Sequence, residues 1–231
     1  MPDLTLKQRI DAVEARIAKA LQRVGRDRSH LTLVAVSKKF SAEVLRDAYT
    51  QGLRIFGENY IQEFAAKKPG LGDMPEAQFH LIGHLQSNKA RTAVELFQVI
   101  QTVDSGKLLE RLDRACADAG HKRDVLLEIK LAEEENKQGA APEDIPALLD
   151  AAARHRNVRV TGLMTMPPWS NDAETSRPYF NHLAQLAKRY SLPELSMGMS
   201  NDFEVAIEEG ATIIRVGTAI FGARPKPAVD A

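Results

Sequence analysis

The chain has 231 residues, of which 44% are hydrophobic and 27% are charged, a composition typical of a soluble globular protein with a sizeable core. Lysine plus arginine (31) balances aspartate plus glutamate (31), so no overall charge attracts nucleic acid or an anionic membrane. Neither a signal peptide nor an apolar run of membrane-spanning length is visible. We therefore expect a cytoplasmic protein that binds neither nucleic acid nor membranes.

The predicted elements alternate along the chain. Apolar residues spaced three and four apart from Leu4 to Val24 predict a long amphipathic helix. "LTLVAVS" (31–37) is a nearly continuous apolar run, typical of a strand covered on both faces, and Ser41 and Gly52 bracket a helix after it. The further predicted strands are "RIFGEN" (54–59), "FHLIGH" (79–84), "VIQTVDS" (99–105), "DVLLEIKL" (124–131), "VRVTGLMTM" (158–166), "ELSMGMS" (194–200) and "TIIRVGTAIFG" (212–222). Each predicted strand except the last is followed by a helix.

Strict alternation of strands and helices implies parallel strands joined by crossovers. Eight such units predict an α/β protein with a single (β/α)8 TIM barrel. The extra N-terminal helix spans about 4–25, the barrel about 31–222, and a short tail ends the single domain 1–231. An open doubly wound sheet is the rival architecture, but no GxGxxG motif follows the first strand.

The carboxyl ends of the strands form the active site in barrels of this kind, and Lys38 closes the first strand. A lysine at the rim of an apolar barrel is partly desolvated, which favours the neutral amine that attacks a carbonyl carbon. That is the requirement for a Schiff base. The alternative, of equal weight on the strand alone, is that Lys38 or Lys39 extends into solvent. Strand alternation sends the two lysines in opposite directions, so at most one points into the mouth.

Polar groups after the last two strands suggest a phosphate site. Ser200, Gly217 and Thr218 offer hydroxyls and a closely approaching backbone, and the loops after strands seven and eight are the usual phosphate site of TIM barrels. Taken alone, such glycines are more often ordinary turn residues, so the coincidence with Lys38 carries the argument. An amine and a phosphate site together suit a phosphorylated aldehyde. An aldolase acting on a sugar phosphate fits the same logic, but Glu58 and Asp104 are acid or base candidates only by position, and a role as partners of lysines and arginines at the rim is favoured for both.

Histidines, methionines and the one cysteine give weaker signals. His80 and His84 are four residues apart on one predicted strand face, but no third ligand is evident, so we predict no metal site. Met164 and Met166 are expected to pack around the barrel mouth. Cys116 lies in a helical pattern with no second cysteine, which predicts a buried thiol.

Six motifs together are recognisable: "AVSK" (35–38), "FGENYIQE" (56–63), "FHLIGHLQSNK" (79–89), "GLMTM" (162–166), "LSMGMSND" (195–202) and "IRVGTAIFG" (214–222). In this order and spacing, over nearly the whole chain, they resemble the pyridoxal phosphate homeostasis protein family. The resemblance implies a barrel like the N-terminal domain of bacterial alanine racemase, with pyridoxal 5'-phosphate (PLP) as its cofactor.

The resemblance also implies roles for individual residues. Lys38 would form the Schiff base with PLP, and Arg215 would face the pyridine nitrogen. The complete predicted cofactor-binding set, with no catalytic residue among its members, is Lys38, Asn59, His80, Met164, Ser200, Arg215, Gly217 and Thr218. Lys137 matches a further lysine of the family in the loop after the fifth strand.

The implied function is intracellular PLP homeostasis: the protein holds the cofactor reversibly, and delivery to PLP-dependent apoenzymes stays open. A permanent cation at Arg215 beside the ring nitrogen would keep that nitrogen unprotonated and weaken carbanion chemistry. The chain also ends soon after the last strand, where alanine racemase continues into a second domain. We therefore expect no efficient catalysis, with a weak amino-acid racemase as the alternative. A monomer is expected, because the inferred site needs no residue from a partner.

Overall fold

The structure, a computed structural model, describes residues 4–132 and 138–223. Within these ranges eight parallel strands close into a barrel in chain order, which confirms the predicted fold. β8 returns to pair with β1, and Val34 lies in register with Arg215. The strands are β1 (Thr32–Val36), β2 (Ile55–Glu58), β3 (Gln78–Leu81), β4 (Val99–Val103), β5 (Arg123–Glu128), β6 (Val158–Met164), β7 (Glu194–Ser196) and β8 (Ile213–Val216).

The helices surround this barrel. They are α1 (Leu6–Arg23), α2 (Ala42–Thr50), α3 (Ile61–Lys67), α4 (Ala90–Leu96), α5 (Gly106–Ala119), α6 (Ile145–Ala152), α7 (Arg177–Arg189), α8 (Phe203–Glu208) and α9 (Thr218–Phe221). Among the described residues, no helix is long and apolar enough to cross a membrane.

α1 is the predicted extra helix. It begins with a capping box, in which the Thr5 hydroxyl accepts from the Gln8 backbone N–H and the Gln8 side chain accepts from the Thr5 N–H. Its apolar stripe packs against α8 and α9. Arg16 adds a bidentate ion pair to Glu204 on α8, with N–O distances of 2.6 and 2.7 Å.

The core has two layers. Most of it lies between the strands and the helices, where the rings of Phe64, Phe79 and Phe97 pack in contact. A smaller cluster fills the inside of the barrel and consists of Val34, Leu126, Met164 and Ile213. Apolar side chains on both faces explain why the strands appear in the sequence as nearly continuous apolar runs.

The strands end earlier than predicted, and the last one shows why. Residues 218–221 form α9 rather than a continuation of β8, so the prediction of a strand to Gly222 with no helix after it is wrong. Gly217 departs from extended backbone, with φ −112° and ψ −81°, and ends the strand. Likewise β1 ends at Val36, so Lys38 and Lys39 lie in a turn beyond the strand.

Candidate cofactor site

A cavity of about 290 Å³ opens at the carboxyl ends of the strands, near the lower limit of small-molecule pockets, which span roughly 300–1,000 Å³. It collects residues that follow β1, β2, β6, β7 and β8. The members of the predicted set that line it are Lys38, Asn59, Ser200, Arg215, Gly217 and Thr218. The structure thus brings six of the eight predicted residues to one place.

The turn after β1 separates the two lysines. Lys38 lines the cavity, whereas Lys39 is exposed and adopts a left-handed backbone with φ 67°. The Phe40 N–H closes the turn by donating to the Ser37 carbonyl at 3.2 Å. The two lysines diverge because of this turn, not because of strand alternation.

A buried ion-pair cluster, which we call the Lys67 cluster, supports that turn. It consists of Ser37, Glu58, Glu63 and Lys67. The Lys67 ammonium contacts Glu58 Oε1 at 2.7 Å and Glu63 Oε1 at 2.9 Å, and donates to the Ser37 carbonyl at 3.2 Å. Ser37 Oγ donates to Glu58 at 2.8 Å, and the Lys39 N–H donates to Glu63 at 2.5 Å. The cluster therefore holds both residues that flank Lys38.

Glu58 serves the cluster rather than acid–base chemistry. It is fully buried, and burial raises the pKa of its carboxyl while Lys67 opposes the rise. The sequence analysis favoured Glu58 as the partner of a lysine or arginine over a role as acid or base, but it did not identify Glu63 and Lys67. Their spacing of four residues on α3 was the available signal, because such pairs are neighbours on a helix surface.

Arg215 forms one end of a buried hydrogen-bond chain through the barrel. Its Nη1 donates to Ser196 Oγ at 2.6 Å and its Nη2 to the Thr165 carbonyl at 2.9 Å. Ser196 Oγ donates in turn to Gln101 Oε1 at 2.6 Å, and Gln101 Nε2 contacts His80 Nδ1 at 2.9 Å. Burial lowers the pKa of Arg215 to about 10, with Glu128 opposing the shift, so the guanidinium stays charged at neutral pH.

His80 and Met164 lie away from the cavity wall. His80 is 4% exposed, and its Nδ1 accepts from Gln101, which leaves the proton of the neutral ring on Nε2. Burial lowers its pKa to about 4. Met164 packs in the inner barrel cluster, and the methionines that line the cavity are Met166 and Met199. His84, four residues from His80, is exposed beyond the end of β3, so the two histidines do not share a site.

Hydrogen-bonding groups converge where β8 leads into α9. The backbone N–H groups of Gly217 and Ala219 donate to Ser200 Oγ at 3.2 and 3.3 Å, and the exposed Thr218 begins the helix. Because β1 pairs with β8, this turn and the Lys38 turn leave neighbouring strands.

The loop after β6 adds three residues that the sequence analysis did not single out, together with Met166, which it expected at the barrel mouth. Met166, Pro168, Trp169 and Ser170 line the cavity, and Trp169 is 74% exposed. Lys137, the other predicted lysine, lies outside the described residues. Cys116 is buried, and burial raises the pKa of its thiol to about 11, as expected of an inert cysteine.

A second cavity of about 410 Å³, which we call the side cavity, adjoins the first. Met166, Trp169 and Met199 line both cavities. Glu128, at the end of β5, lines the side cavity and is 4% exposed. Burial raises the pKa of the Glu128 carboxyl to about 7, with Asp104 adding to the rise and Arg215 opposing it.

Comparison with known proteins identifies the class and then the family. The family model of the alanine racemase N-terminal domain matches residues 9–225, which agrees with the closed barrel and its cavity at the strand ends. The chain is 41% identical to the pyridoxal phosphate homeostasis protein of Aquifex aeolicus over 94% of this chain and 97% of that protein. It is 42% identical to the protein of that name from Pseudomonas aeruginosa, over 95% and 96% of the two chains.

A solved structure extends the comparison. PipY of Synechococcus elongatus PCC7942, solved with PLP bound, matches with a TM-score of 0.84 and 38% identity, over 94% of this chain and all of that one. The chain belongs to the pyridoxal phosphate homeostasis protein family, which confirms the resemblance drawn from the six motifs.

Proposed function

We propose that this chain, acting as one domain, binds PLP reversibly through Lys38 and serves intracellular PLP homeostasis. The proposal rests mainly on one observation: Lys38, Arg215 and the hydrogen-bonded pair Ser200 and Gly217 line the same cavity. PLP bound to PipY, a relative with the same fold and 38% identity, supports the choice of ligand.

The residues present fit this cofactor. Each functional group of PLP would meet a matching group in the cavity. The aldehyde would meet an amine, the ring nitrogen a buried guanidinium, and the phosphate a cluster of backbone and hydroxyl donors. Among the described residues, Asn59 Oδ1 is buried and has no hydrogen-bond partner, and Asn59 lines the cavity, so an acceptor is available to a bound molecule.

Each residue has a task that follows from its contacts. PLP would supply a reversible carbonyl–amine condensation, for which Lys38 is the amine. Arg215, held by Ser196 and Thr165, would face the ring nitrogen and disfavour a second positive charge there. Ser200, Gly217 and Thr218 would bind the phosphate.

We further propose that catalysis by this protein is inefficient. The carboxylate of Asp202 in the cavity wall is occupied structurally, because Oδ1 accepts from the Met199 N–H at 2.7 Å and Oδ2 from Ser176 Oγ at 2.8 Å. A group with both oxygens bonded is poorly placed as a proton carrier. Incubating PLP-loaded protein with L-alanine in deuterated water tests this point. Slow exchange of the α-hydrogen is expected, whereas rapid exchange would favour a racemase.

The remaining parts of the proposal concern the cell. We infer a cytoplasmic monomer that passes PLP to apoenzymes, and the supply of all the assigned groups by one chain supports the monomer. Light scattering during PLP titration checks the mass. Fractionation checks the location, and transfer to an apoenzyme faster than spontaneous release checks delivery.

Replacement of Lys38 tests PLP attachment directly. Lys38→Ala should lose the absorbance of lysine-bound PLP and any borohydride-trapped adduct on its peptide. Lys39→Ala, the matched control in the same turn, should keep both because Lys39 is exposed. Trapping on the same peptide in Lys38→Ala would move the assignment to Lys39.

A further inference from the structure

The side cavity contains a buried carboxyl group whose hydrogen bonding is incomplete. Within the described residues, Glu128 Oε2 is inaccessible to solvent and has no hydrogen-bond partner, and no ion pair includes Glu128. A buried carboxylate without donors is costly, so this group fits a ligand that brings a donor and a positive charge.

The surrounding barrel explains why Glu128 stands apart. Leu126, two residues earlier on β5, packs in the inner barrel cluster, and alternation sends Glu128 to the same inward face one layer higher. The neighbouring polar groups in the barrel are already bonded to one another, in the chain from Arg215 through Ser196 and Gln101 to His80. Among the described residues, Glu128 does not join this chain, so it remains available to an occupant.

The rest of the wall favours an occupant with an apolar part. Ile129, Leu131, Met166 and Met199 contribute apolar surface. A metal ion is disfavoured, because within residues 4–132 and 138–223 no three His, Cys, Asp or Glu side chains are grouped to hold one. A protonated primary amine supplies both the charge and the donors from a single small group.

We propose that the side cavity binds a small primary amine, with its ammonium group on Glu128 and its apolar substituent against Ile129, Leu131 and the two methionines. The three residues shared with the first cavity put this occupant next to the proposed PLP site. The binding does not depend on PLP.

Charged groups around the site define the competing outcome. Lys130 and His84 line the same cavity, and Arg215 and Asp104 act on Glu128 from β8 and from the end of β4. An anionic occupant held by the cations is the alternative. The test therefore compares n-butylamine with butyrate and with the uncharged n-butanol.

The experiment uses the full chain carrying Lys38→Ala, prepared without PLP, and measures binding by calorimetry and by amide chemical shifts. We expect n-butylamine to bind at pH 8 with shifts concentrated at residues 128–132, and to bind more tightly than n-butanol and butyrate. Glu128→Gln should weaken the binding of n-butylamine about tenfold, as expected for the loss of a charged hydrogen bond. Glu95→Gln, on the exposed face of α4, is the matched control and should change nothing.

A change of pH supplies a second readout. With a pKa of about 7, the ionised fraction of Glu128 rises from about one tenth at pH 6 to about nine tenths at pH 8, while the amine stays protonated. Binding of n-butylamine should strengthen several-fold over this range, and binding of n-butanol should not. If Glu128→Gln does not fold, the positions of the amide chemical-shift changes and the pH series still test the proposal.

Three results would overturn the proposal: no n-butylamine binding at pH 8, equal binding to Glu128→Gln, or tighter binding of butyrate. These failures are separate from failure of the proposed function, because the assay protein lacks both PLP and the lysine that would hold it.

Discussion

Two glutamates at the ends of parallel strands have opposite surroundings. Glu58 ends β2 and Glu128 ends β5, and both are nearly inaccessible, with exposures of 0% and 4%. Glu58 accepts from Lys67 and Ser37, whereas Glu128 takes part in no ion pair among the described residues. The same side chain at a strand end is therefore structural on the outer face of the barrel, where α3 supplies Lys67, and faces a cavity on the inner face. The deciding factor is the partner supplied by the neighbouring helix.

Removing that partner should produce the largest effect. Lys67→Met leaves Glu58 buried without its cation, and we expect a loss of about 3 to 5 kcal/mol in the free energy of unfolding, measured by urea denaturation. Arg91→Met, at an exposed pair on α4 with 81% of the Arg91 side chain accessible, is the control and should cost little. The double variant Glu58→Gln/Lys67→Met should recover much of the loss; without recovery, the cluster does not act as an ion pair.

The second largest effect on stability is expected at acidic pH and arises in the hydrogen-bond chain beside Glu128. The folded-state pKa of His80 is lowered to about 4, so the unfolded chain binds the extra proton between about pH 6.5 and 4. Stability should therefore fall across that window as the pH falls, by about 2 to 3 kcal/mol from this group. His80→Asn keeps an acceptor for Gln101 without a titrating ring. Urea titrations from pH 7 to pH 4 should show a shallower loss in this variant, and an equal loss would contradict the assignment.

Glu128 should show the opposite pH dependence. Its folded-state pKa is raised from 4.5 to about 7, so the folded protein binds more protons than the unfolded chain between these values. Stability contributed by this group is present below about pH 4.5 and is lost as the pH rises through 7. Glu128→Gln should then stabilise the protein at pH 8 by about 1 to 2 kcal/mol in thermal or urea unfolding. Glu58→Gln, made in parallel, should destabilise the protein. If both variants change the stability in the same direction, the two glutamates do not differ in this way.

The smallest effect concerns the outer member of the Lys67 cluster. The Glu63 side chain is 29% exposed, so Glu63→Gln should cost only about 1 kcal/mol in stability. Because Glu63 also accepts from the Lys39 N–H, the variant should loosen the Lys38 turn and weaken PLP binding by a few-fold in a fluorescence titration. Glu43→Gln, on an exposed pair in α2, should leave PLP affinity unchanged. An equal change in both variants would show that the cluster does not position the turn.

The fold was predictable from the sequence to a large extent. Apolar runs and helical spacing repeat in strict alternation, and this pattern is local, so the barrel and α1 followed from it. Strand ends were less predictable, because a run such as "TIIRVGTAIFG" stays apolar while its backbone changes from β8 to α9 at Gly217. Lys38 lines the cavity, as its position after a strand predicted, but a turn, not strand alternation, separates its direction from that of Lys39.

The sequence by itself determined the alternation, the polar residues at the strand ends and the family, because each is carried by neighbouring residues or short motifs. Only the tertiary structure decided that Lys67 would pair with Glu58, that Arg215 would connect to His80, and that Glu128 would face a cavity with no ion pair to any described residue. These partners come from different strands and helices, and whether a buried carboxyl meets a cation depends on how those elements close around the barrel. A glutamate in "FGEN" and one in "LLEI" have similar local contexts; the packing of α3 against β2 and the cavity at the end of β5 make them different.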